Sequence, residues 1–123
     1  MHQIVFNEIS AAELSALPTG EQLDLMSTFQ VDELSLQQSP HNQDFGVVER
    51  EGKKIFRFRH NDYRVYFTIE GEETVVVQRV LSANSITDFL FRSKMGAASE
   101  DQKLASSRSF WKLIEEGEQA TRR

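Results

Sequence analysis

The stretch "FRFRHNDYRVYF", residues 56–67, decides how this chain is read. Two runs alternate apolar or aromatic side chains with basic or polar ones, and "ND" between them has the composition of a tight turn, so the stretch predicts a β-hairpin. With Asn61 and Asp62 in the turn, positions pair about a fixed sum: Arg59 opposes Arg64, and Arg57 opposes Tyr66. Arg57, Arg59, Arg64 and Tyr66 then share one face. Phe56, Phe58, Val65 and Phe67 take the other and are candidate core.

The same period of two continues on both sides. "VVER" (47–50) and a turn at "EGKK" (51–54) precede the hairpin; a turn near "EGEE" (70–73) and "VVVQRVL" (75–81) follow it. The result is a four-stranded antiparallel meander. A turn centred between Gly71 and Glu72 sets Arg79 opposite Arg64, so one face carries Arg57, Arg59, Arg64 and Arg79. Like charges facing each other across strands cost a few tenths to about 1 kcal/mol per pair, and a fold does not require them. Two explanations are open. Carboxylates at Glu49, Glu51, Asp62 or Asp88 neutralise a solvated sheet surface, or the face is an anion site, for which the guanidinium fork is well suited.

Upstream, "IVFNEIS" (4–10) reads as a strand leading into a helix, with Ser10 placed as N-cap and Glu13 three residues on. That helix stops at "PTG" (18–20). A second helical pattern, with Leu23, Leu25, Met26, Phe29 and Val31, runs through residues 21–34, and residues 35–46 read as a loop. Downstream, Asn84 or Ser85 is placed to cap a short helix containing Phe89 and Phe91. Residues 96–100 read as a linker. Beyond them Leu104, Trp111 and Ile114, with Phe110 and Leu113 beside them, form an apolar stripe at helical spacing that must be buried somewhere. The expected architecture is α+β: an N-terminal strand and helical hairpin, the meander, and an extra C-terminal helix. Residues 1–95 form the main domain, and 96–123 the linker and amphipathic helix.

Composition narrows the functional classes. A chain of 123 residues, 39% of them apolar, suits one domain. Without cysteine there is no disulfide framework and no thiolate metal site, which fits a reducing, cytoplasmic setting. No apolar run approaches the roughly 18 residues of a membrane span. His2, His41 and His60 lack metal-ligand spacing and no glycine-rich phosphate loop is present, so neither metal nor cofactor is expected. The net charge of -5 conceals a segregation: residues 1–49 hold eight acidic side chains and no Lys or Arg, whereas residues 50–94 hold nine basic side chains against six acidic.

The hairpin together with its neighbours, "KIFRFRHNDYRVYF", "VVVQRVL" and "DFLFR", resembles the RelE/ParE toxin superfamily of bacterial toxin-antitoxin systems, over residues 3 to about 94. The resemblance implies a small toxin neutralised by an antitoxin protein. In the RelE branch such a toxin represses translation as a metal-independent endoribonuclease that cleaves mRNA on the ribosome; in the ParE branch it acts on DNA gyrase; a third reading is a binding module that keeps the fold without the chemistry. For the nuclease branch the resemblance makes Arg64, Arg57 and Arg59 the catalytic candidates. A general acid or base would come from His60, Tyr66 or Asp62, and His60, with a usual pKa of about 6.5, suits the role. Arg57, Arg59, Arg64, Tyr66 and Arg79 are then the RNA- and phosphate-binding set, with Tyr66 available for stacking. The sequence departs from that branch where it would supply a tyrosine and histidine near the C-terminal end, here Phe91 and Leu90, and at two basic positions, here Ser85 and Ile55. The Trp111 helix is a candidate homodimer surface.

Overall fold

The computed structural model describes residues 3–29, 45–60, 63–71, 74–82 and 97–121. β1 (Gln3–Phe6) is followed by α1 (Glu8–Ser15) and α2 (Thr19–Thr28). The meander is β2 (Phe45–Arg50), β3 (Lys53–His60), β4 (Tyr63–Glu70) and β5 (Thr74–Ser82). Two helices close the chain, α3 (Ala97–Ala105) and α4 (Arg108–Thr121). The strands make one sheet in the order β1-β5-β4-β3-β2, with β1 parallel to β5 and the other pairs antiparallel. The expected α+β class and meander are both present, with β1 as a fifth strand. No helix among the described residues is long and apolar enough to cross a membrane.

The sheet is covered on both faces. On one, Phe58, Val65, Phe67, Val75 and Val77 pack with Phe45, Leu25 and Phe29 beneath α1 and α2. Phe29 is central there, its ring centroid 5.0 Å from Phe58 and 5.4 Å from Phe67. On the other, α3 and α4 lay Leu104, Phe110, Trp111 and Ile114 over Val48, Ile55, Tyr66 and Leu81. The stripe seen at helical spacing therefore finds its cover on the chain's own sheet.

Hairpin parity holds as read: Arg59 pairs with Arg64, and Arg57 with Tyr66. The next register does not. A bulge makes Gln78 an extra residue of β5, so that Phe67 pairs with Val77 but Tyr66 pairs with Arg79, and Arg64 faces Leu81. Arg79 consequently joins the row of Arg57 and Tyr66 instead of opposing Arg64. At the β2–β3 turn Glu51 and Gly52 both take positive φ, at 51° and 83°, the geometry of a two-residue hairpin.

Helix ends also differ from the expectation. Asn7, not Ser10, caps α1: its side-chain oxygen accepts the Ser10 N–H at 2.7 Å, and the Ser10 hydroxyl accepts the Asn7 N–H at 3.0 Å. The carboxamide caps the helix three residues earlier and leaves Glu13 for another task. α2 ends at Thr28, with Phe29 turning out of the helix; the remainder of the expected helix and residues 35–44 of the expected loop lie outside the described residues, and Phe45 and Gly46 already belong to β2. The expected short helix with Phe89 and Phe91 also lies outside them. Residues 97–100, read as linker, open α3. The single C-terminal helix is two, broken at Ser106 and Ser107, where the Ser107 hydroxyl accepts the Phe110 N–H at 3.2 Å and caps α4.

β1 ends opposite Val77, and side chains of α1 take over the exposed edge of β5. The Ser10 hydroxyl donates to the Val77 carbonyl at 2.8 Å, Asn7 Nδ2 to the Gln78 carbonyl at 3.1 Å, and the Val80 N–H donates to Glu13 Oε1 at 2.9 Å. Asn7 Nδ2 also lies 2.9 Å from the Gly117 carbonyl of α4, so one carboxamide ties α1, β5 and α4 together. The contact is close because Gly117 has no side chain: a Cβ there would lie 2.4 Å from the Gln78 carbonyl oxygen. In an exposed helix Gly→Ala stabilises by about 1 kcal/mol. Gly117→Ala is expected to do the reverse, lowering stability by about 1–3 kcal/mol as α4 is pushed off the bulge. Urea denaturation checks this, and a gain in stability would show that α4 does not seat on β5.

Candidate functional site

The meander gathers the predicted basic residues on the face beneath α3 and α4. Cross-strand pairing makes one row of Gly46, Arg57, Tyr66 and Arg79, and beside it a second of Arg59, Arg64 and Leu81. Arg57 and Tyr66 are 0% exposed, Arg64 4% and Arg79 9%, whereas Arg59 is half-buried. Burial of so much positive charge requires partners, and these come from elements remote in sequence.

Arg57 meets Asp101 of α3. Its Nε donates to Oδ1 at 3.2 Å and its Nη2 to Oδ2 at 2.9 Å, a two-point grip on a carboxylate. Gly46 makes room for it: a Cβ there would lie 2.1 Å from Arg57 Nη2 and 2.8 Å from Asp101 Oδ2. Arg79 meets Glu13 of α1 in the same way, with Nε to Oε1 at 3.0 Å and Nη2 to Oε2 at 2.7 Å, and its Nη1 donates to the Leu113 carbonyl of α4 at 3.1 Å. Arg64 Nη1 donates to the Tyr63 carbonyl at 2.9 Å, and Arg59 and Arg64 both have further partners. The Tyr66 ring lies edge-on to Phe110, centroids 4.9 Å apart.

His60 is not part of this row. It lies on the opposite face, its ring parallel to Phe58 at 6.3 Å, with Nε2 2.9 Å from Asp24 Oδ2 of α2. Beside it the Tyr63 hydroxyl donates to Glu21. The structure thus brings together Arg57, Arg59, Arg64, Tyr66 and Arg79 and separates His60 from them. No group of three or more His, Cys, Asp or Glu side chains placed to hold a metal occurs among the described residues. A cleft of about 450 Å³ between α1 and α4, lined by Glu8, Ile9, Glu116, Gln119 and Ala120, contains none of the candidate residues.

Asp101 and Glu13 are the residues that sequence reading missed. Asp101 precedes Leu104 by three positions and so shares its helix face, a signal that it is turned toward the sheet. Glu13 resembled a capping-box acid. Chemically, the face is a set of oxyanion grips, two of them filled by internal carboxylates, with one phenol between them.

Removing one member of a buried ion pair strands the other and costs about 3–5 kcal/mol, whereas replacing both by apolar groups is often neutral. Arg57→Met alone is expected to lose about that much, and Arg57→Met combined with Asp101→Leu to recover most of it. A double-mutant cycle in urea reads the difference; losses that simply add would show that the two side chains do not depend on each other.

Comparison with known proteins agrees with this architecture. Residues 29–86 match the family model described as the ParE toxin of the type II toxin-antitoxin system parDE. No curated protein sequence matches the chain at a significant level. Among solved structures, a chain of the toxin-antitoxin complex RelBE2 from Mycobacterium tuberculosis is similar in fold, with a TM-score of 0.50 and 24% identity over 66% of this chain and 96% of that one. The family model over the meander and the shared fold make this chain similar to the toxins of the RelE/ParE superfamily of type II toxin-antitoxin systems.

Proposed function

We propose that the chain is a RelE-type toxin that inhibits translation by cleaving ribosome-bound mRNA and is neutralised by a cognate antitoxin. The observation that carries this reading is the cross-strand row Arg57–Tyr66–Arg79, with Arg59 and Arg64 beside it. Folding alone does not ask for Arg59 to face Arg64 across strands beside two further guanidiniums, and a phosphodiester in its transition state gains from each. In the reaction a ribose 2′-hydroxyl attacks the adjacent phosphorus, the bond to the 5′-oxygen breaks, and a 2′,3′-cyclic phosphate and a 5′-hydroxyl result. The arginines bear the charge that develops on the non-bridging oxygens. One proton leaves the 2′-hydroxyl and one reaches the 5′-oxygen; Tyr66 is the titratable side chain in the row, and His60 faces away. An antitoxin partner is supported by the similarity to a chain from a toxin-antitoxin complex.

A second reading, a ParE-type toxin directed at DNA gyrase, is favoured by the family model over residues 29–86 and by the position of His60 on the far face. The two separate in one experiment. With the nuclease reading, inducing the chain without an antitoxin arrests growth, fragments mRNA and stops a cell-free translation extract, while gyrase supercoiling is unaffected. Arg64→Ala is expected to lower cleavage by about 10²–10³-fold, the usual effect of removing one donor to a developing oxyanion. Intact mRNA with failed supercoiling would replace the first reading by the second, and growth undisturbed at every level of induction would remove both.

A further inference from the structure

We infer that α3 and α4 are a built-in inhibitor of the arginine face, with the Asp101 carboxylate occupying the place of a ligand's anionic group on Arg57. The inference deepens the proposed function and rests on its reading of the arginine row as the working surface.

Three observations carry it. First, the contact between α3 and the sheet is made by charge as well as by oil. Arg57 is wholly buried and grips Asp101 at two points, a planar fork on two oxygens that is also how a guanidinium grips phosphate. A purely structural cover is served as well by an apolar pair in that position. Gly46 opens the space in which the guanidinium and carboxylate meet, so the sheet is shaped around the pair. Secondly, α4 adds a second grip, its Leu113 carbonyl on Arg79 Nη1, so that both arginines of the row touch the cover. Phe110 lies against Tyr66 between them. The cover therefore meets each side chain that the proposed reaction uses in this row. Thirdly, α3 and α4 lie beyond residues 29–86, the part of the chain that matches the family model.

The apolar side chains set how the inhibitor is released. Lifting α3 and α4 uncovers Val48, Ile55 and Leu81 along with the arginines, so the closed form predominates in the free chain. Weakening the cover at either kind of contact shifts the balance toward the open form, in which Arg57 and Tyr66 meet solvent while Arg79 stays on Glu13.

The test uses the full chain and two variants that act on the cover by different means. Asp101→Asn removes the internal anion, and Ile114→Ala loosens the apolar contact without changing charge. Hydrogen exchange of residues 108–121 reads opening, polarisation of a fluorescein-labelled single-stranded RNA of about ten nucleotides reads access to the arginines, and growth after induction reads toxicity. Thermal melting followed by far-ultraviolet circular dichroism establishes that each variant remains folded. Both variants are expected to exchange faster in α4, to bind the RNA at least about tenfold more tightly and to arrest growth at lower induction. Greater toxicity without tighter RNA binding supports the inhibitor and overturns the nuclease reading. Faster exchange with neither greater toxicity nor tighter binding overturns the inhibitor, as does a wild-type chain that already binds and arrests growth as strongly as its variants. Unchanged exchange in both variants overturns it too, since these contacts would then not be what holds the cover down.

Discussion

The buried grip of Arg57 on Asp101 is the constraint around which the sheet and its C-terminal cover are organised. Two charges taken out of water lose solvation that their mutual attraction restores only when geometry is close and the remaining donors are satisfied. The structure meets that condition with bonds of 3.2 and 2.9 Å, and by leaving β2 without a side chain at Gly46. α3 is fixed by this requirement more narrowly than apolar contact alone would fix it. Burial by Leu104 tolerates a shift along the sheet, whereas a fork on a carboxylate does not. α4 inherits the position, set at its other end by the Asn7 carboxamide and by the absence of a Cβ at Gly117.

The charge segregation along the sequence becomes intelligible in the fold. The acidic first part of the chain does not stand apart from the basic middle; it is packed on it. Glu13 of α1 holds Arg79 and also closes the edge of β5 at Val80, while Glu21 and Asp24 of α2 reach Tyr63 and His60 on the other face. These contacts differ in weight. The Asp24 side chain remains 58% exposed, so its contact with His60 adds little, whereas the Glu13 and Arg79 side chains are 21% and 11% exposed and are reinforced by backbone bonds. An acidic helical flank is thus partly consumed by the sheet it covers.

Much of this was legible in the residues, and what was not has identifiable causes. Strand parity alone placed Arg57 opposite Tyr66 and Arg59 opposite Arg64, because a period of two leaves no freedom once the turn is located. It missed Arg79 because a bulge adds one residue without changing composition, and Gln78 looks no different from a regular strand residue. The cap moved from Ser10 to Asn7 because both are good caps, and the choice is made by tertiary bonds from Asn7 to β5 and α4 that local sequence does not contain. The carboxylates sought for the arginines were near ones, whereas the partners are separated by 44 residues for Arg57 and 66 for Arg79. Pairing over such distances is a property of the packed layers and has no local signature.

The mixed character of the covered face limits what can take the cover's place. Phosphate satisfies Arg57, while Arg79 keeps its Glu13 partner on α1, but Val48, Ile55 and Leu81 are left in water, and each apolar side chain so exposed costs about 1.5–3 kcal/mol. A protein helix with an acidic residue satisfies both parts, as α3 and α4 do. A nucleotide satisfies them only in so far as its base stacks on Tyr66 while its phosphate meets the guanidiniums, which makes the short distance along one sheet row between Tyr66 and its flanking arginines the decisive feature for RNA. Under the proposed function, affinity for RNA would depend on Tyr66 as much as on the charges, since without that ring the arginines would attract the backbone without holding a nucleotide in place. In the proposed inhibition, a ligand that competes with Asp101 and Phe110 would supply an anion and a flat apolar surface together.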